Sequence, residues 1–332
     1  MKHSLFFFLI ITALIGCIPN DPDYHFDYEI VVADTPVNLD KLNTIYDDYN
    51  SDLPYPAARS EIYFSSNRNS SGKDFDIVCK VIDISYHESD EILNFSIPEN
   101  DSYSVYQAKL LPYINSDYDE LGPLTFSDDN GWDYFFYAGN DSGNLDIKFV
   151  YTPRLDWGTY QGQQRLYGPK KVTLVNSAAD DGYPALLQDK SRMLFCSNRE
   201  NQQFDIYSIN LNTGMPLHEF LAGKSSEQIT RESVLCSPSN DKCPSIHGNF
   251  LVFASDRPGG YGGYDLYYSR LLNNQWSTPV NFGEKINSPG DEYRPITFSF
   301  NNIDGMIFSS NRSGGKGGYD LFAVRIGDLL KN

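Results

Sequence analysis

Cationic side chains are in short supply: 26 Lys and Arg face 44 Asp and Glu along 332 residues, a formal charge of -18. So acidic a surface repels phosphate backbones, which argues against nucleic acid as a partner and against docking on anionic lipid by charge alone. Helix signals are scarce too. Beyond the first residues no apolar stripe recurs at helical spacing, and 24 Tyr and 21 Phe beside 25 Gly and 18 Pro point to short strands joined by tight turns. Five Cys and five His lie scattered without the spacing of a zinc site, so neither a metal nor a cofactor is expected. No Gly-x-Ser-x-Gly elbow occurs, and no second domain is long enough to carry a peptidase centre.

Long apolar runs are absent as well, except for Leu5 to Ile15, which follows Lys2 and is interrupted only by Thr12. That run is too short for a mature membrane span and reads as an export signal. It ends in Leu14-Ile15-Gly16-Cys17, which resembles the lipobox of bacterial lipoproteins. The resemblance implies a signal peptide over residues 1–16 and an acylated Cys17 as the new N-terminus. Residues 17–28 would then form the lipidated start and a solvated tether, and residues 29–332 one folded domain. Removing residues 1–16 takes away one Lys and no acid, so the mature charge is -19. The expected location is the outer membrane, lipid-anchored, on its periplasmic or cell-surface face. Of the other cysteines, Cys236 and Cys243 enclose a Ser-Pro-Ser-Asn-Asp-Lys turn and suggest a local disulfide. Cys79 and Cys196 sit in apolar strand patterns and read as small buried hydrophobes.

One phrase is written four times: Ile62-Tyr63-Phe64-Ser65-Ser66-Asn67-Arg68, Leu194-Phe195-Cys196-Ser197-Asn198-Arg199, Leu251-Val252-Phe253-Ala254-Ser255-Asp256-Arg257 and Ile307-Phe308-Ser309-Ser310-Asn311-Arg312. A fifth, degenerate copy begins at Tyr134 and lacks the Arg. Each copy leads into a strand with an Asp, at positions 76, 146, 205, 265 and 320, in steps of 70, 59, 60 and 55 residues. This period, holding several short strands, marks propeller blades. A Pro-containing strand precedes each phrase, at Pro54, Pro123, Pro184, Pro244 and Pro295, and is assigned the innermost place. The last copy has no outer strand of its own, and Pro36 to Asn43, which matches Pro279 to Asn287, is positioned to fill it and hide the exposed edge. The expected fold is all-β: a propeller of five blades, each of four antiparallel strands, closed by the N-terminal strand. A sixth, divergent blade within Ile84 to Val105 is the alternative.

The Phe-Ser-Ser-Asn-Arg, Gly-Gly-Tyr-Gly-Gly-Tyr-Asp and Asp-Glu-Tyr-Arg-Pro segments resemble the TolB-type, WD40-like β-propeller repeats, over roughly residues 30 to 326. Such repeats are frequent in exported lipoproteins of Bacteroidota-like bacteria. The resemblance therefore implies a cell-envelope protein.

Repetition supplies a rule: a residue present in every blade builds blades, whereas chemistry at one site needs residues that occur once. Arg68, Arg199, Arg257 and Arg312 precede Asp76, Asp205, Asp265 and Asp320 by six or eight residues, so an Arg–Asp bridge across each hairpin is expected. The Gly clusters at 259–263 and 314–318 read as hairpin turns rather than phosphate cradles. Three residues before the repeated Pro stand Ser51, Glu120, Asp181, Asp241 and Glu292. Near a channel mouth they suit a cation, but pairing with Arg of neighbouring blades explains them as well, and repetition favours pairing. Ser127 to Tyr134 fits the Asp-box spacing of sialidase-like propellers, a turn-building element. The single insertion Tyr151 to Tyr167 offers Arg154, Asp156, Trp157, Tyr160, Gln163 and Arg165 for stacking on sugar rings or anchoring a protein.

Two functions follow. The favoured one is a non-catalytic binding or scaffold lipoprotein whose faces hold a protein or glycan partner. The alternative is a glycoside hydrolase of the five-bladed, arabinanase-like kind, with Asp119, Glu120, Asp181 and Glu292 as acids.

Overall fold

The computed structural model describes residues 29–54, 56–89, 91–98, 105–154, 165–212, 214–223 and 228–327. Five separate antiparallel sheets stand around a channel. From the channel outward, blade one comprises Asp48–Asp52, Arg59–Ser66, Asp76–His87, Ile92–Ser96 and Glu29–Val32. Blade two comprises Glu120–Ser127, Trp132–Gly139, Asp146–Pro153 and Tyr167–Lys171. Blade three comprises Asp181–Leu186, Arg192–Ser197, Asp205–Asn210 and Thr230–Arg231. In blade four, Asp241–His247, Phe250–Ser255 and Asp265–Leu272 are followed by Val280–Asn281. Blade five is Glu292–Phe300, Ile303–Ser310 and Asp320–Gly327, completed by the N-terminal Val37–Asn38.

That last pairing closes the ring as the repeat implied. Val37 lies opposite Ala323 and Asn38 opposite Phe322, and Leu39 donates its N–H to the Leu321 carbonyl at 2.9 Å. The described residues of Ile84 to Val105 form no sixth blade: they finish the third strand and supply the fourth strand of blade one, and Val105 starts a helix, Val105–Ile114. Blade one carries one strand more than expected, because Glu29–Val32 adds to its outer edge and buries Ile30 and Val32.

The blades are latched by the residue just before each inner-strand acid. Asp119, Asp180, Asn240 and Asp291 accept the N–H of Phe75, Leu145, Phe204 and Tyr264 of the preceding blade, at 2.9–3.1 Å. Asp47 accepts from Tyr319 at 2.7 Å and so joins the last blade to the first. A second set of bonds runs parallel to it. Asn43, Asn115, Asn176 and Asn287 accept the N–H of Leu321, Ile77, Ile147 and Leu266, and the Cys236 thiol takes the same place for Ile206. These contacts leave few buried amides unpaired where blades meet.

Every inner strand also bulges at its third residue. Asn50, Gly122, Tyr183, Cys243 and Arg294 all have positive φ, between 44° and 60°, and the register slips at the same point in all five blades. A bulge inserts one residue and re-aims its side chain. Pro123, Pro184, Pro244 and Pro295 follow directly, where the broken ladder has no use for an N–H donor. In blade one that place belongs to Ser51, since the inner strand is Asp48–Asp52 and Pro54 lies beyond it.

Candidate functional site

The register of blade one corrects the acidic ring: the fifth member is Asp48, not Ser51, so all five positions are acidic. It also corrects the arginine pairing. Arg68, Arg199, Arg257 and Arg312 bridge Asp48, Asp181, Asp241 and Glu292 of their own blades at 2.5, 2.6, 2.5 and 2.8 Å. They engage neither the hairpin Asp nor a neighbouring blade's acid. Each guanidinium also donates to a Ser hydroxyl on its own strand and to a backbone carbonyl, of Leu42, Val175, Leu235 or Ile286. The other face of each acid accepts a backbone N–H and a hydroxyl from Thr44, Ser177, Ser237 or Ser288. The sequence spacing misled because the inner-strand acid precedes its Arg by about twenty residues, while the hairpin Asp follows within eight.

The hairpin acids have other tasks. Asp205 pairs with Arg231 through two bonds of 2.7 Å, and Asp76 accepts from Asn69. Asp265 accepts from the backbone of Tyr261 and Gly262 and from Asn281, and Asp320 does the same with Lys316, Gly317 and Asn38. A Cβ on Gly260 would stand 2.5 Å from the Asp265 carboxylate, which is why glycine occupies that turn.

Of the four acids considered for hydrolysis, Asp181 and Glu292 are therefore consumed in buried bridges, and Asp119 holds Asn140 and the Phe75 N–H. Glu120 stands apart. In its blade Gly139 and Asp141 replace the Ser and Arg, and Lys148 bonds Asp141 at 2.5 Å. Glu120 is left with Ser116, whose hydroxyl and N–H donate at 2.6 and 3.1 Å, and burial pushes its carboxyl up to about 7.

The open space lies at the other end of the channel. There the inner strands of all five blades surround a pocket of about 390 Å³. Among the described residues its lining carries one carboxylate, Asp52, together with His247, Lys190 and Arg294. Asp52 is buried, and Thr125 donates both its N–H and its hydroxyl to one carboxylate oxygen at 2.9 Å. Burial raises its carboxyl to about 6, with Thr125 and then Arg294 pulling the other way. His247 opens into the pocket, and the surrounding chain lowers its pKa, opposed by Asp304. Tyr183 and Arg294 separate the pocket from the acidic ring: Arg294 lies over the Tyr183 ring at 5.5 Å and donates to the Pro123 carbonyl at 3.0 Å. Gly122 makes room, since a Cβ there would be 2.6 Å from Tyr183.

Asp52 and Arg294 were missed from sequence, though for Arg294 a signal was there. The third inner-strand position differs in every blade, as Asn, Gly, Tyr, Cys and Arg, on an otherwise repeated frame.

From the insertion, Arg154 bonds Asp133 at 3.0 Å and the Asp128 carbonyl at 2.8 Å, and Arg165 lies over Tyr167. Both act as struts for blade two. Asp156, Trp157, Tyr160 and Gln163 lie outside the described residues, as does Cys17. The Asp box folds as a turn, with Asp128 accepting the N–H of Asn130 and Trp132 at 2.9 Å. The disulfide is not formed: Cys236 and Cys243 are free, Cys236 being engaged with Ile206 while the Cys243 N–H donates to the Cys196 sulfur at 2.9 Å.

No family model matches the sequence, and no curated protein matches it. Solved structures do match the fold. An endo-arabinase from Bacteroides thetaiotaomicron superposes with a TM-score of 0.53 at 12% identity, covering 88% of this chain and 97% of that one. A GH43_1 enzyme from Xanthomonas citri gives 0.52 at 10% identity, covering 90% and 93%, and its complex with xylose gives 0.52 at 9% identity, covering 90% and 92%. At this identity the likeness establishes the five-bladed propeller. The neighbours named here are an endo-arabinase and a GH43_1 enzyme and not TolB-type repeat proteins, so the expectation of a non-catalytic scaffold is corrected to this extent: the fold's likeness sides with the hydrolase alternative.

Proposed function

We propose that the chain is a glycoside hydrolase that works in the channel pocket, with Asp52 as its proton donor. The observation that carries this reading is the buried carboxyl of Asp52, raised to about 6, at the wall of a pocket sized for one or two sugar rings. A carboxyl in that range is protonated in an appreciable fraction of molecules near neutrality and can pass its proton to a leaving glycosidic oxygen. His247 stands on a blade that does not adjoin that of Asp52, and its lowered pKa keeps the imidazole neutral and able to accept a proton from attacking water. The glycosidic C–O bond breaks as the water C–O bond forms on the opposite side, so this arrangement gives inversion at the anomeric carbon. The candidate acids of the sequence reading keep the frame rigid in this account and carry no chemistry.

Likeness to the arabinanase and to the xylose-bound enzyme supports testing arabinan and xylan first. Release of reducing ends from a panel led by these two polysaccharides, with the anomer of the product followed by proton NMR, tests the proposal. Inverted product is expected, and absence of turnover on every glycan would refute it.

The chain is further proposed to be exported and anchored through Cys17 to the outer membrane, where envelope glycans would be within reach. The lipobox-like Leu14 to Cys17 and the TolB-like repeat phrase support this placement.

A further inference from the structure

The pocket is a well rather than a groove. Among the described residues its wall takes a stretch of inner strand from each of the five blades, and contacts between blades stitch that wall together. Asp52 of blade one is bonded to Thr125 of blade two. Lys190, in the hairpin turn of blade three, bonds the Asp129 carboxylate in the hairpin turn of blade two and lies over the Phe126 ring at 5.9 Å. Below, Arg294 crosses from blade five to the Pro123 carbonyl of blade two and, with the Tyr183 ring beneath it, closes the floor. On the far side of the Lys190 bridge, the seam between blades two and three continues as a shallow depression lined by Asn130, Leu211, Met215 and Leu217. Phe126 and Lys190 border both spaces.

One strand sets the depth of the floor relative to Asp52. Pro123 meets Arg294, and Thr125, two residues nearer the opening, holds the carboxylate. Two residues of strand rise about 6–7 Å, the height of a single sugar ring. Beyond Thr125 the strand runs on to Ser127 and its turn, so Asp52, 7% exposed, lies well below the rim. A glycosidic bond presented to this carboxyl has room for one ring on the floor side, and the rest of the glycan leaves through the mouth. An internal bond would send two chain arms back through the same well. About 390 Å³ holds one or two rings and not a second arm beside them. Resting on the hydrolase reading, we infer that the site takes terminal sugars only, at a chain end or a branch tip, and releases them one at a time. Lys190 is then the specificity residue, because its side chain closes the seam along which a second arm could lie. This mode of attack sets the chain apart from the endo-arabinase that its fold resembles.

The test follows product size through a digestion. Linear arabinan, linear xylan and arabinoxylan are incubated with the full chain, small products are resolved by anion-exchange chromatography, and polymer length is followed by size exclusion. Single sugars are expected from the first time points while the polymer peak hardly moves. Release from the linear polymers identifies chain ends as the substrate, and release from arabinoxylan alone identifies branch tips. Early oligosaccharides with a rapid fall in polymer length would overturn the inference and leave the hydrolase proposal intact. No sugar from any polymer would remove the hydrolase reading and this inference with it. Lys190→Ala, which joins the well to the depression between blades two and three, should raise the share of oligosaccharide products severalfold. A product pattern identical to wild type in Lys190→Ala would overturn the role given to that side chain.

Discussion

Arg257 reaches Asp241 on the innermost strand of its own blade at 2.5 Å, and it leaves Asp265, eight residues further along the chain, to other donors. The relationship recurs in four blades and fixes which pairs are energetically coupled. In a double-mutant cycle, Arg257 and Asp241 should couple by about 1–3 kcal/mol, and Arg257 and Asp265 by less than about 0.5 kcal/mol. Arg257→Met alone leaves a fully buried carboxylate without its cation and should cost about 3–5 kcal/mol by urea unfolding. A larger coupling to Asp265 would mean that the hairpin, not the inner strand, is the true partner.

Blade two, the one blade without the Arg, should reveal itself through pH. Burial raises Glu120 from 4.5 to about 7, so the folded state favours its protonated form. Its contribution to stability is complete below 4.5 and is lost as pH rises through 7, on the order of 3 kcal/mol in all. Glu120→Gln should therefore gain on the wild type between pH 4 and pH 8. Asp52 and Glu292, whose carboxyls are also raised, are common to both proteins and cancel in the comparison. Parallel stability curves would contradict the assignment.

Cys236 occupies the place that Asn fills in the other four blade junctions. Cys236→Asn should retain the wild-type melting temperature, and Cys236→Ala should lose about 1 kcal/mol with the missing acceptor. Without reductant, the denatured protein should expose Cys79, Cys196, Cys236 and Cys243 as reactive thiols. A pair resistant to alkylation would restore the disulfide.

Anchoring is checked by fractionation. The protein should partition with outer membranes and take up labelled palmitate, and Cys17→Ala should abolish both. Unchanged labelling in Cys17→Ala would remove the lipid anchor from the account.

How much of this was legible in the sequence depends on what repeats. Hairpin strands and blade number were readable because they rest on a phrase written several times, and ring closure because Pro36 to Asn43 matches Pro279 to Asn287. The partner of each Arg was not, because spacing along the chain favours the nearby Asp76 or Asp265 while the fold brings a remote inner-strand acid closer. Blade one was misaligned by three residues because Leu53-Pro54 mimics the Gly-Pro and Tyr-Pro steps, although its bulge is built on Asn50-Ser51. The pocket escaped because its side chains occur once. Asp52 and Arg294 meet only when five strands that are distant in sequence surround one axis.

The central claim is that Asp52 donates a proton to a glycosidic oxygen. Its most direct test is kcat/KM of Asp52→Asn against wild type on the best-cleaved glycan of the panel, with Asp181→Asn as a frame control. Asp52→Asn should lose at least about a hundredfold while remaining folded, in keeping with removal of a general acid, and the alkaline limb of the wild-type pH profile should fall as pH rises through about 6, where Asp52 gives up its proton. An Asp52→Asn protein within about threefold of wild type would contradict the account.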